Sequence, residues 1–256
     1  MEGRYLYCIA EGGAPASLGR IGIEGKEVYS VPFKDLSAVV HDCPAEPYMS
    51  GNQEKMVNWA VTHQNVVEEA WKGSRTVIPV RFGTIVKGQL DGLTAWLNDN
   101  YEGLRKDIER FRDKEEYGVQ VFWNADVIAE RLVDAIPELK GLKMETEASR
   151  GGAAYMHKQL FEKKLRQEME SEAGLRFKEL CYRIKERVEE LNIEKIKETS
   201  RSADMFMNLS CLVRRERAMD MIEELDMINK MDTFSVRLTG PWPPYSFAGL
   251  GSMLFT

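Results

Sequence analysis

The stretch from Ala153 to Leu191 sets the strongest constraint on what this chain can fold into. Met156, Leu160, Leu165, Met169, Ala173, Phe177, Leu180, Ile184, Val188 and Leu191 follow one another mostly at steps of three, four or five residues, with Lys, Arg and Glu between them. Apolar residues so spaced fall on one narrow stripe of a helix, and a stripe of that width suits a helical hairpin or a coiled-coil arm. Gly174 costs such a helix about 1 kcal/mol relative to Ala, so a bend is expected there.

The flanks of the arm decide the rest of the second half. Tyr117 to Trp123 reads as a strand, and Asn124 caps a helix whose Ile128, Leu132 and Ile136 share a face and which Pro137 stops. A flexible segment ending Ser149-Arg150-Gly151-Gly152 leads into the arm. Beyond it the sequence predicts a hairpin from about Glu194 through Thr199-Ser200-Arg201-Ser202 to the strand Met205 to Val213, whose alternate residues point one way. A helix over Arg214 to Asn229 turns Ala218, Met221, Ile222, Leu225 and Ile228 inward, and Phe234, Val236 and Leu238 alternate with polar residues as a last strand. The order is β-α-β-β-α-β, that of a ferredoxin-like sandwich whose first crossover is enlarged into the arm, at about 153–192.

The first half reads strand, strand, strand, helix, strand, helix. Arg4 to Ala10 and Leu36 to Val40 are strands, and the Gly-rich segment between them carries a short hairpin around Glu24-Gly25-Lys26. Ser50-Gly51-Asn52-Gln53 has capping-box spacing ahead of a helix with Met56, Ala60, His63, Val67 and Trp71 on its apolar stripe, closed by Lys72-Gly73. Thr76 to Val86 returns to strand character, with Pro79 implying an edge or a bulge, and Leu90 to Arg112 is helical, weakest at Gly103. The charged stretch Arg112 to Glu116 marks a boundary. The expected fold class is therefore α+β in two domains, 1–114 and 115–256, both ferredoxin-like or variants of it, with a Pro- and aromatic-rich tail at 240–256.

The 256 residues carry 43% hydrophobic and 30% charged side chains with a net charge of −6, values of a soluble globular protein. No apolar run approaches the roughly 18 to 20 residues that span a lipid membrane, and the N-terminus lacks the basic and apolar regions of a secretory signal, so a cytoplasmic protein is expected. The negative charge argues against a nucleic-acid partner. Cys8, Cys43, Cys181 and Cys211 lack C-x-x-C spacing, and reduced, buried thiols explain them better than a metal site. The glycines of Gly12 to Gly25 match neither phosphate-binding pattern, Gly25-Lys26 being followed by Glu27. His63 lies on an apolar stripe, as a core imidazole would, and His157 lies on the arm among paired charges. Nothing reads as catalytic, and no cofactor, metal or small-molecule substrate is implied.

Two motifs stand apart. In VIPVRFG, Pro79, Arg81, Phe82 and Gly83 place one charge, with a proline and a glycine, in an otherwise apolar strand, where Arg81 would pair with a neighbouring carboxylate. In LTGPWPPYSFAG, Gly240, Pro241, Trp242, Pro243, Pro244 and Tyr245 follow the last strand; three prolines remove three donors, so the segment is expected to leave the sheet as a stiff polyproline-II stretch. Pro241 to Pro244 formally matches the P-x-x-P pattern of an SH3 or WW ligand. Leaving three aromatics in water costs roughly 25 cal/mol per Å², however, so the segment is expected to fold back over the second domain.

With RYLYCIA at the start, VPFKDLSAVV at Val31 to Val40, VIPVRFGTIV at Val77 to Val86 and LTGPWPPYSFAG near the end, the chain resembles the gas vesicle proteins F and L (GvpF/GvpL), and F more than L. The resemblance covers nearly the whole chain. It implies a non-enzymatic minor structural or assembly protein of gas vesicles, shell-associated and cytoplasmic in a prokaryote, with two α+β domains and helical coiled-coil elements. The implied partners are the small hydrophobic shell protein GvpA and other accessory gas vesicle proteins. An accessory protein for an aggregation-prone shell subunit needs a rigid body, solubilising charge and an interaction surface, which the arm, the sheet edges or the apolar tail Gly249 to Thr256 would offer. The competing readings are a general cytoplasmic adaptor or scaffold protein unrelated to gas vesicles, and an enzyme of the ferredoxin-like class.

Overall fold

A computed structural model describes residues 2–13, 15–196 and 204–249. The expected turn Thr199 to Ser202 and the apolar tail beyond Gly249 lie outside the described residues. The chain divides into two compact units, one made of the residues up to Tyr117 together with the segment from Gly240, the other of Gly118–Thr239. The segment from Gly240 thus folds back on the first unit, not on the second as its position in the sequence suggested.

In the first unit β1 (Glu2–Glu11), β2 (Ser17–Gly19), β3 (Val28–Phe33) and β4 (Leu36–Pro44) are followed by α1 (Gln53–Gly73), β5 (Val77–Pro79), β6 (Ile85–Lys87) and α2 (Leu90–Phe111). The sheet order is β2-β3-β4-β1-β5, with β6 also on β1. Strand β1 is the centre: it pairs antiparallel with β4 on one side and with β5 and β6 on the other. Every residue from Tyr5 to Ala10 is wholly buried. A bulge between Leu6 and Cys8 inserts one extra residue opposite β4, and such a bulge breaks the alternation of side chains. In consequence Tyr5, Tyr7, Cys8 and Ala10 all lie in the core under α1, with Trp59, Val66, Val67 and Ala70 of that helix.

The expected strand Thr76 to Val86 is two short strands on the same edge of β1. Pro79 sits at the end of β5, opposite Cys8, on the edge its missing donor demanded. Helix α1 starts two residues later than the capping-box spacing implied: Asn52, not Ser50, is the cap, its side chain accepting from the Lys55 N–H at 3.1 Å. Its buried face carries Trp59, His63, Val66, Val67 and Ala70, while Ala60, expected inside, is exposed.

The remaining elements are β7 (Lys114–Trp123), α3 (Ala125–Ala135), α4 (Pro137–Ala148), α5 (Gly152–Lys185), β8 (Glu190–Ile193), β9 (Met205–Arg214), α6 (Ala218–Asn229) and β10 (Phe234–Trp242). Their sheet has the order β10-β7-β9-β8. On β9, Met207, Leu209, Cys211 and Val213 are buried, but so are Ser210 and Leu212 between them, and Met205, expected on the same face, is half-buried; the strand is covered on both sides from Leu209 to Val213. Three expectations are corrected here. The segment after Pro137 is helical: proline occupies the first helical position of α4, where its missing N–H has no intrahelical partner to lose. That helix packs on α5, which supplies the helical hairpin. The long helix ends at Lys185, and Leu191, counted on its stripe, belongs to β8, opposite Cys211. Glu115 and Glu116, read as part of a boundary, lie buried within β7.

Candidate functional site

The two distinctive motifs, more than 150 residues apart in the sequence, meet in the first unit. The link begins at β1. The Tyr5 hydroxyl lies 2.9 Å from Nδ1 of His63, and Nε2 of His63 lies 2.9 Å from the Val80 carbonyl. A carbonyl only accepts, so Nε2 carries the proton and Nδ1 accepts from Tyr5. The same hydroxyl accepts the Gly83 N–H at 3.0 Å. Tyr7 repeats the arrangement: it accepts from the Ile23 N–H and meets Nδ1 of His41 at 2.8 Å, while Nε2 of His41 meets the Tyr48 hydroxyl at 2.9 Å. Burial lowers both imidazoles from 6.5 to about 4, so both rings are neutral near pH 7. Burial likewise pushes the Tyr5 and Tyr7 hydroxyls far up. His63 is the satisfied core imidazole its apolar stripe implied.

These bonds fix the excursion between β5 and β6. Val80 N–H donates to the Tyr7 carbonyl and Leu6 N–H to the Thr84 carbonyl, both at 3.0 Å, so the chain leaves β1 after Val80 and returns at Thr84. Thr84 closes the turn by donating to the Arg81 carbonyl through its N–H at 3.2 Å and its hydroxyl at 2.7 Å. Gly83 adopts φ +85°, a conformation that favours glycine. The outcome is an Arg81 side chain held out in solvent and a half-buried Phe82 whose ring meets those of Tyr5 and His63 edge-on. The expected carboxylate partner is not found: among the described residues no ion pair forms at Arg81.

The other wall is the segment after Gly240. The strand does not give way to a polyproline-II stretch. β10 continues through Pro241, which follows a cis peptide bond, to Trp242, since an edge strand tolerates a residue without a donor. The chain then turns, with Tyr245 N–H on the Pro243 carbonyl at 2.7 Å and Ala248 N–H on the Pro244 carbonyl at 3.0 Å. Pro243, Pro244 and Phe247 are buried and Tyr245 packs on the core beneath α1. The buried Glu116 carboxylate takes the Ser246 N–H at 2.8 Å on one oxygen and the Ser246 hydroxyl at 2.6 Å on the other. Arg110 adds a bond to the Phe247 carbonyl at 3.3 Å. This segment is thus a built part of the fold and not a free ligand tail.

Between the walls lies a cleft of about 370 Å³, lined by Ala60, His63 and Gln64 of α1, Val80, Arg81 and Phe82, Glu116, and Trp242 with Tyr245. Of the motif residues, Arg81, Phe82, Trp242 and Tyr245 line it. Pro79, Gly83, Gly240, Pro241, Pro243 and Pro244 shape the backbone around it. Ala60 read as core, Glu116 as boundary and Gln64 as neither; their place in the cleft depends on chain segments far from them. Both nitrogens of His63 and both oxygens of Glu116 are committed to hydrogen bonds that hold the walls. Neither is placed to move a proton to or from a bound molecule. Among the described residues no group of three or more His, Cys, Asp or Glu is arranged to hold a metal ion, and no helix is long and apolar enough to cross a membrane.

Comparison with known proteins bears directly on this arrangement. The family model described as gas vesicle synthesis protein GvpL/GvpF matches residues 3–249. Gas vesicle protein L1 of Halobacterium salinarum is 30% identical, covering 96% of this chain and 90% of its own. Gas vesicle protein F of a Streptomyces species is 28% identical, covering 95% and 98%. The crystal structure of GvpF from Anabaena sp. PCC7120 superposes with a TM-score of 0.75 at 22% identity, covering 97% of this chain and 98% of that one. That of GvpF from Microcystis aeruginosa gives 0.67 at 19%, covering 96% and 98%. These structures share the mixed helix and antiparallel-sheet fold. Relatives named L and relatives named F both match, so the assignment is to the joint family and not to the F branch alone. With both motifs in place and the match running almost end to end, this chain belongs to the GvpL/GvpF family of gas vesicle synthesis proteins.

Proposed function

We propose that this chain is a non-enzymatic assembly or minor structural component of gas vesicles, working in the cytoplasm and at the vesicle of a prokaryote by holding the hydrophobic shell protein GvpA and other accessory gas vesicle proteins while the shell forms. The observation that carries the reading is the convergence of the two family motifs on a cleft whose imidazole and carboxylate, His63 and Glu116, are spent on architecture. Such a cleft suits recognition better than turnover.

Two features of the second unit support the same reading. Its strand order β10-β7-β9-β8 is the one a ferredoxin-like sandwich adopts, which favours that description of Gly118–Thr239. The first unit, with four strands before its first helix, is better described as a variant. On α5, Leu180 and Ile184 are buried, whereas Met156 and Leu160, one turn apart, and Leu175 and Tyr182, two turns apart, are exposed on the opposite side by the helical period. An arm with exposed apolar side chains is the kind of surface that a hydrophobic shell subunit could meet.

The test is removal of the gene from a host that makes gas vesicles, with electron microscopy of the cells and recovery of GvpA in soluble and aggregated fractions. Loss of vesicles, a shift of GvpA to aggregates, and restoration of both by the full chain are expected. Normal vesicles in the deleted cells would end the proposal.

A further inference from the structure

The cleft has a stated chemistry. Among the described residues no ion pair forms at Arg81, whose exposed guanidinium stands at the rim on a turn with its backbone held by five hydrogen bonds, so the base of the side chain is fixed there. The wall beside it is carbon: Val80, Phe82 and Trp242. The acidic group of the lining, Glu116, is buried and tied to Ser246 through both oxygens.

The apolar surface does not stop at the mouth of the cleft. Val57 and Val61 on α1 are 56% and 49% exposed. By the helical period they share a face with Ala60 and Gln64, which line the cleft, and this face is opposite to that of Trp59, Val66 and Ala70. At 1.5 Å per residue, the stripe from Val57 to Gln64 is about 10 Å long. An occupant that covers both cleft and stripe is an extended segment of chain, longer than a single small molecule.

We infer that the cleft and the outer face of α1 together seat a short segment of a partner polypeptide, with aliphatic side chains against Val57, Val61, Phe82 and Trp242 and one carboxylate on Arg81. The carboxylate meets a planar fork of donors, which favours a bidentate pair and fixes the register of the segment. The carbon walls supply most of the affinity, and Arg81 supplies the selection. The inference rests on the assembly reading, because it makes the partner one of the proteins that act with this chain.

The test uses the full chain and two blocked peptides, acetyl-Leu-Val-Glu-Leu-amide and its Gln counterpart, titrated by NMR. Saturable shifts of the Trp242 indole N–H and the Gly83 amide are expected with the Glu peptide, and binding about five-fold weaker with the Gln peptide. Arg81→Gln, an exposed substitution that leaves the core intact, should make the two peptides equal. Equal affinity of both peptides for the unaltered chain, or titration that leaves Trp242 and Gly83 unmoved, overturns the inference. Capture of purified GvpA and accessory gas vesicle proteins separates it from the assembly reading. Equal capture by the unaltered and Arg81→Gln chains removes the cleft and keeps the assembly role. Peptide binding at the cleft with no capture at all keeps the site and removes the role.

Discussion

Lowering the pH should loosen the first unit well before its carboxylates titrate, and the two buried imidazoles set the size of the effect. His63 and His41 are 4% and 0% exposed, and burial lowers both from 6.5 to about 4. The unfolded chain takes up a proton on each ring near pH 6.5, whereas the folded chain holds off until about pH 4. The unfolded state therefore binds more protons throughout that window, and stability falls as pH falls through it. Each ring loses about 1.4 kcal/mol per pH unit, which comes to about 2 kcal/mol per ring at pH 5 and about 4 kcal/mol for the pair. Geometry supplies the reason: a proton added to Nδ1 would face a Tyr5 or Tyr7 hydroxyl that already accepts a backbone N–H and needs that nitrogen as its acceptor. The assay is urea unfolding at pH 7 and pH 5, followed by tryptophan fluorescence. His63→Gln keeps a donor for Val80 and an acceptor for Tyr5 but cannot titrate, so it should roughly halve the loss. Unfolding free energies that agree within 1 kcal/mol at the two pH values, or a loss unchanged in His63→Gln, would refute the reasoning.

Three further outcomes follow from single positions. Gly240→Ala forces a side chain onto φ +117° and brings its Cβ within 2.8 Å of the Glu116 carbonyl oxygen; about 2–3 kcal/mol of destabilisation is expected, read as a lower thermal midpoint and faster hydrogen exchange at Tyr245 to Ala248. Gly103→Ala, on the exposed side of α2 with nothing within 4 Å of the new carbon, should do the reverse and raise stability by about 1 kcal/mol. Of the four thiols only Cys181 is half-buried; in the native chain at pH 8 it should react with a thiol reagent while Cys8, Cys43 and Cys211 wait for unfolding, and prompt modification of Cys8 would contradict its place in the core.

The sequence carried the pieces of this fold better than their assembly. The apolar run located β9, but alternation did not separate its faces, because the strand is buried on both sides from Leu209 to Val213. Alternation could not locate the shared face of Tyr5, Tyr7, Cys8 and Ala10, because the bulge that brings them together depends on β4, some thirty residues away. Pro137 was legible as an interruption but not as the start of α4, since a proline ends one helix and begins the next by the same missing N–H. Glu115 and Glu116 read as part of a boundary between domains. Their burial depends on partners such as Tyr117 and Ser246, and the latter lies 130 residues on. The cleft suffers most from this. Both motifs were visible as oddities, but nothing local tells that Arg81 and Trp242 line one cleft.

The membership of the segment from Gly240 in the first unit changes how the chain can be made. A ribosome delivers residues in order, so Glu2 to Tyr117 emerge with the place of Pro243, Pro244, Tyr245 and Phe247 unfilled, and wait while all of Gly118–Thr239 is synthesised. The second unit has its whole sequence first, although it comes second. The first is finished only when the last turn arrives, so premature termination anywhere before Gly240 would leave the N-terminal sheet without part of its own core, and the cleft without one of its walls.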